Sequence, residues 1–393
     1  MRSTQLLLIA VLFAGCSSFK SGSESGSDAS ADGSSGSGSS SGGSASGSGG
    51  GSGSSSGTSS GSGGGSGGGS GGSSSGGGSG GGSGGGSGGG SGSGSGGGCT
   101  GSNCVTTGVL FGGDDTLPPA QDTWTYAGSA WSNPMPSGAP PHRTESAMAM
   151  LGGKVVLFGG SPSGQGDVIA DTWVWDGTTW SQKQPAHSPP ARCYHSMATL
   201  GGNIVLFGGS NGSAQLADTW TWDGTDWSQH VTSQPPARSA AMMATLGGNV
   251  VLFGGLGGTD GNTELSDTWT WNGSAWTSQS PTNVPMARDS GVAVSVGGVV
   301  VLFGGQDLNA AALGDTWTWN GSDWMQVTGL SLTPPARLGA VGAAVGGQFV
   351  LFGGTTNTSN DFNDTWVWTG SAWIQGPSSG PSVRSYSAMA GPG

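Results

Sequence analysis

From residue 105 onward, apolar and polar positions come in short blocks, and no stretch sustains a 3.6-residue period. Short strands are therefore expected, with essentially no helix. The blocks recur with a period near 49 residues. One word, Leu-Phe-Gly-Gly, stands at 110–113, 157–160, 206–209, 252–255, 302–305 and 351–354. A second, Asp-Thr-Trp, begins at Asp122, Asp171, Asp218, Asp267, Asp315 and Asp364. A further Trp follows at 131, 180, 227, 276, 324 and 373, and an Arg recurs at 143, 192, 238, 288, 337 and 384. The repeat accounts for all 17 Trp of the chain.

Each unit reads as four short strands. In the unit that starts at Arg143, Ala147–Leu151 forms the first, and Gly152-Gly153 turns the chain. Val155–Phe158 is apolar throughout, which suits a strand covered on both faces. Gly159-Gly160 ends it, where missing side chains allow close backbone approach. Thr172–Trp175 is the third strand, and Asp176-Gly177 is a hairpin turn. The fourth begins near Trp180 and runs into a Pro-rich connection.

Four antiparallel strands repeated near every 50 residues are a propeller signature. The chain resembles the kelch family in three features. These are the Arg before the first strand, the Gly pair ending the second and the aromatic opening the fourth. The third strand departs from the commoner Tyr-containing form by carrying Asp-Thr-Trp-x-Trp. Five complete units start at Arg143, Arg192, Arg238, Arg288 and Arg337. Residues 105–131 lack a first strand, and 384–390 supply only one, with RSYSAMA matching the RTESAMA at 143. The expected fold is all-β: a six-bladed kelch-type β-propeller over 99–393, closed by the C-terminal strand 384–390 and preceded by a disordered Gly/Ser-rich linker.

That linker is residues 17–98, with 39 Gly and 34 Ser. Such a segment cannot bury a core and is expected to act as a disordered tether, about 50 Å in r.m.s. length. Residues 1–16 carry Arg2, an apolar run and Ala14-Gly15, the pattern of a secretory signal peptide. Phe13-Ala14-Gly15-Cys16 resembles a bacterial lipobox, which implies lipidation at Cys16, membrane attachment through that lipid, and a place in the cell envelope as an outer-membrane lipoprotein. Export favours a Cys99–Cys104 disulfide. Cys193 is then left over as a small buried residue.

The chain carries a net charge of −12 with only ten Lys plus Arg, which argues against nucleic-acid binding. Long variable loops share the face at which the first strands begin, and tight turns occupy the other. Nine acids fall on or beside the loop face: Asp114, Asp115, Glu145, Asp167, Asp260, Glu264, Asp289, Asp307 and Asp361. A protein or glycan partner is expected there, and a cationic partner or Ca²⁺ fits the charge. The six repeat Arg have two readings, as framework at the channel mouth or as ligand-binding groups. The residues after them differ from blade to blade, so specificity is expected to arise there.

No nucleophile motif stands out. The four His residues, at 142, 187, 195 and 230, lack ligand spacing on one element, so neither catalytic nor metal-binding residues are assigned. The leading reading is an envelope-anchored binding or adhesion module, its propeller monomeric and without a resident cofactor. The alternative comes from the resemblance: some exported kelch proteins are sialic acid mutarotases, with Arg and Glu in the channel. Small apolar side chains in the channel favour binding, whereas a Glu or His paired with Arg favours the enzyme.

Overall fold

The computed structural model describes residues 105–114, 120–258, 261–356 and 361–393. Residues 1–104 lie outside this set, so the signal segment, lipobox, linker and proposed Cys99–Cys104 bridge do too. The described residues form six four-stranded antiparallel sheets and no helix. In the second blade the strands are Ala147–Leu151, Lys154–Phe158, Thr172–Trp175 and Trp180–Lys183. The first strands neighbour one another around a closed ring and line the central channel.

The first blade joins the chain ends. Ala388–Ala390 pairs with Gly108–Phe111, with Val109 opposite Ala390 and Phe111 opposite Ala388. Thr123–Ala127 and Ala130–Ser132 complete it. The apolar second strands are buried from their second residue onward in every complete blade. One loop carries more order than its sequence implies: Leu256–Gly257 pairs with Thr263–Glu264.

Neighbouring blades are joined by a repeated aromatic contact. The Trp opening each fourth strand packs on the Phe of the preceding blade's Leu-Phe-Gly-Gly, with centroids 5.0–5.5 Å apart. Its indole N–H donates to the Thr hydroxyl of that blade's Asp-Thr-Trp at 2.8–3.0 Å. Trp131 bonds Thr365, so the series closes on itself. Each contact combines apolar burial with a satisfied N–H.

The glycine pairs bring the backbones together at the loop face. The second Gly of each pair donates its amide to the Arg carbonyl of the next blade at 2.9–3.0 Å, as from Gly160 to Arg192. A Cβ on the first Gly would stand 2.4–2.7 Å from that same oxygen, and its φ is 62–69°. Both facts exclude a side chain there.

Two outcomes are expected. Trp227→Phe removes the donor to Thr172 and part of a buried ring, and chemical denaturation should register a loss of at least about 1–2 kcal/mol. Truncation after Ser382 removes the closing strand and Arg384. It should abolish the single cooperative transition that the full chain shows, and an unchanged melting curve would contradict closure by pairing of the chain ends.

Candidate functional site at the channel mouth

The repeat arginines are buried, at 0–1 % exposure. Each guanidinium forks onto the Asp of its own blade's Asp-Thr-Trp, with N–O distances of 2.5–3.1 Å. Nη1 also donates to the first Gly carbonyl, at 2.9–3.1 Å. Nε donates to the carbonyl two residues upstream, at 3.0–3.3 Å. At least four of the five N–H donors are thus used within the blade, and all five in Arg384. Of the two readings open in the sequence, this geometry is the framework. Arg143, Arg192, Arg238, Arg288, Arg337 and Arg384 offer no free fork to a ligand.

The Asp partners also accept the indole N–H of the adjoining Trp, at 2.6–2.7 Å. Burial alone pushes the carboxyls of Asp122, Asp218, Asp267, Asp315 and Asp364 up. The facing guanidinium and indole outweigh burial and hold them below the ordinary value.

Two residues past each Arg, the chain enters the left-handed region. Glu145, Tyr194, Ala240, Ser290, Gly339 and Tyr386 have φ of 51–61°. Their amides and carbonyls form a closed cycle: Tyr194 donates to Glu145, Ala240 to Tyr194, Ser290 to Ala240, Gly339 to Ser290, Tyr386 to Gly339 and Glu145 to Tyr386, at 2.7–3.0 Å. Five residues with side chains bear a conformation costing on the order of 1 kcal/mol each. The cycle of six hydrogen bonds fixes it.

The ring surrounds a cavity of about 120 Å³. Deeper in the channel the lining is mostly small or apolar, including Ala147, Ala241, Gly291, Val292 and Ala340. At the mouth the Tyr194 and Tyr386 rings meet edge to face, with centroids 5.6 Å apart. A Cβ on Gly339 would stand 2.9 Å from the Tyr386 ring, so the missing side chain makes room for it. Glu145 is 4 % exposed, and its carboxylate has no cation beside it, only the Tyr194 hydroxyl. Burial pushes its carboxyl up to about 8; the nearby Tyr194 hydroxyl opposes this, and the charges of Asp114 and Asp167 add to it. His195 and the hydroxyls of Ser146 and Ser387 also line this cavity, the two hydroxyls without partners. Burial, then the charge of Arg192, brings His195 down to about 3.

The other candidate acids are dispersed. Asp289 is buried beside Arg288 and accepts from Ser290 Oγ at 2.6 Å and Gln306 Nε2 at 3.1 Å. Burial raises it to about 6. Asp167 caps its own loop, accepting from Ser161 Oγ at 3.0 Å, and Asp307 does the same for the amides of Asn309 and Ala311. Asp114 and Asp361 form isolated bridges with Ser385 and Thr355, and Glu264 lies in the small hairpin. Asp115, Asp260, Cys16, Cys99 and Cys104 lie outside the described residues. Among the described residues no three His, Cys, Asp or Glu side chains gather as a metal site. Cys193 is buried, as its sequence context implies, but it is disulfide-bonded rather than left over.

Residues 99–282 match the family model described as the KLHDC2/KLHL20/DRC7 Kelch-repeats domain. No curated protein matches the chain. Together with the six blades, this similarity defines a six-bladed kelch-type β-propeller, and such a propeller suits a protein-binding module.

Stability should carry the signature of these groups. Glu145 is raised in the folded chain, so its contribution is favourable below the ordinary carboxyl pKa and is lost as pH rises through about 8. Melting temperature should therefore decline between about pH 5 and 8, and Glu145→Gln should flatten that limb. The five lowered Asp act oppositely: their contribution is lost as pH falls below the ordinary Asp range, in both proteins. A decline that survives unchanged in Glu145→Gln would place its cause elsewhere.

Proposed function

We propose that the chain is an envelope-anchored binding or adhesion module. In this reading Cys16 carries the lipid, residues 17–98 form the tether, and the propeller presents its loop face and channel mouth to a protein or glycan partner. The observation that carries the binding role is the commitment of all six arginines to the framework, at 0–1 % exposure. What faces outward is then dominated by carboxylates, hydroxyls and aromatic rings, which favours a partner of positive charge. Asp114, Asp167, Glu264, Asp307 and Asp361 contribute to that field, and Asp115 and Asp260 belong to the same loops.

The side chains along the channel are mostly small or apolar, with His195 and three serines among them, which supports binding. The mutarotase alternative needs arginines facing the channel, and here their guanidiniums turn into the blades.

Crosslinking in living cells tests the reading. The full chain should capture a specific partner, and a variant with Asp114→Asn, Glu264→Gln and Asp361→Asn should lose at least about tenfold of that product. Equal capture by both proteins would contradict binding at the acidic face. Cys16→Ser should shift the chain from the membrane fraction to the soluble fraction, and retention at the membrane would contradict the lipid anchor.

A further inference from the structure

The channel mouth gathers unsatisfied polar groups that the framework does not use. Glu145, Ser146, His195 and Ser387 come from three different blades and line one cavity, and the hydroxyls of Ser146 and Ser387 have no hydrogen-bond partner there. Ordered water readily satisfies hydroxyls in such a space. Glu145 is a different matter: it is 4 % exposed with no cation beside it, only the Tyr194 hydroxyl, so its charged form is costly and its carboxyl is held up at about 8 until a cation arrives. The arginines supply none, since each is already paired within its blade.

The side chains on the ring itself narrow the ligand. They are one carboxyl, two phenols, one hydroxyl, one methyl and one hydrogen. Nothing there attracts an anion, and Glu145, with Asp289 close by, repels one. A cation gains from the carboxylate, from the adjoining tyrosine pair and from the surrounding acidic loops. The space of about 120 Å³ at the mouth suits a compact head group.

We propose that the channel mouth binds an organic ammonium group, held against the Glu145 carboxylate and the rings of Tyr194 and Tyr386. This deepens the binding reading above by naming the chemistry of its central contact. The group belongs either to a free quaternary ammonium compound or to a lysine side chain of a docked protein. Specificity then sits at the left-handed position two residues past each Arg. The residue directly after the Arg serves the loop instead, as Thr144, Cys193, Ser239, Asp289, Leu338 and Ser385 each bridge to a loop segment.

Calorimetry on the full chain at low salt tests the site with two probes, tetramethylammonium and N-acetyl-lysine methylamide, against glucose as a control. Saturable binding of at least one ammonium probe is expected, with none for glucose, and the tighter probe identifies the source. Glu145→Gln should weaken binding at least tenfold. Tyr194→Ala should do likewise while keeping its backbone, since Ala240 holds the same conformation at φ 52°. Tyr194→Phe should retain binding. Melting curves on each variant separate a lost site from a lost fold.

Affinity for tetramethylammonium, which does not itself titrate, should fall roughly eightfold from pH 8.5 to 7 as Glu145 takes up its proton. The neighbouring groups do not change charge in that window: His195 is held near 3, Asp289 near 6, Asp167 is lowered, and both tyrosines are raised. Glu145→Gln should remove the pH dependence. No saturable heat with either probe up to about 50 mM, or equal binding by Glu145→Gln, would overturn the proposal. Loss of crosslinking with ammonium binding intact would instead remove only the macromolecular partner.

Discussion

The buried Arg–Asp fork is the interaction on which the rest of the structure depends. It ties the start of each first strand to the start of each third, inside one blade. Such pairs contribute little net stability compared with an apolar substitute, because desolvation offsets attraction. Their value here is geometric. With Nε and Nη1 fixed on carbonyls of the same blade, the Arg backbone is held in place, and its own carbonyl meets the glycine amide of the preceding blade. The side-chain pair thus sets the spacing between blades, and only glycine tolerates the resulting approach.

From that anchor the chain has three residues in which to turn into the first strand. The first bridges outward to the loop; the second points its backbone around the axis and takes a left-handed conformation. Six such residues close a cycle of backbone hydrogen bonds that no single blade could hold. The indole-to-Thr series closes a second cycle further out. Both cycles pass through the blade built from the two chain ends. The ring positions are therefore rigid, yet their side chains carry no framework duty. That combination allows Glu145, Tyr194 and Tyr386 to differ from Ala240, Ser290 and Gly339 without disturbing the fold.

This division explains what was legible in the sequence. The framework repeats because each blade solves the same packing problem, so Leu-Phe-Gly-Gly, Asp-Thr-Trp and the Arg announce the propeller. The match of RSYSAMA to RTESAMA points to the shared blade. The site does not repeat, so no word marks it. Its signal is register alone: Glu145, Tyr194 and Tyr386 stand at one fixed offset from their arginines, one residue beyond the position where blade-to-blade variation is first apparent. Loop acids looked like a single cluster in sequence, but Asp167 and Asp307 spend their oxygens on their own loops. The disulfide at Cys193 was illegible because its burial predicts a small apolar residue equally well.

A site made from a non-repeating ring on a repeating frame requires that the ring be closed and fixed in the free protein. Native-state hydrogen exchange at the amides of Glu145, Tyr194, Ala240, Ser290, Gly339 and Tyr386 measures this directly. Closure predicts that all six exchange together, at the slow rate set by global unfolding. Exchange of any one at the rate of an open loop amide, with the blades still folded, would contradict it.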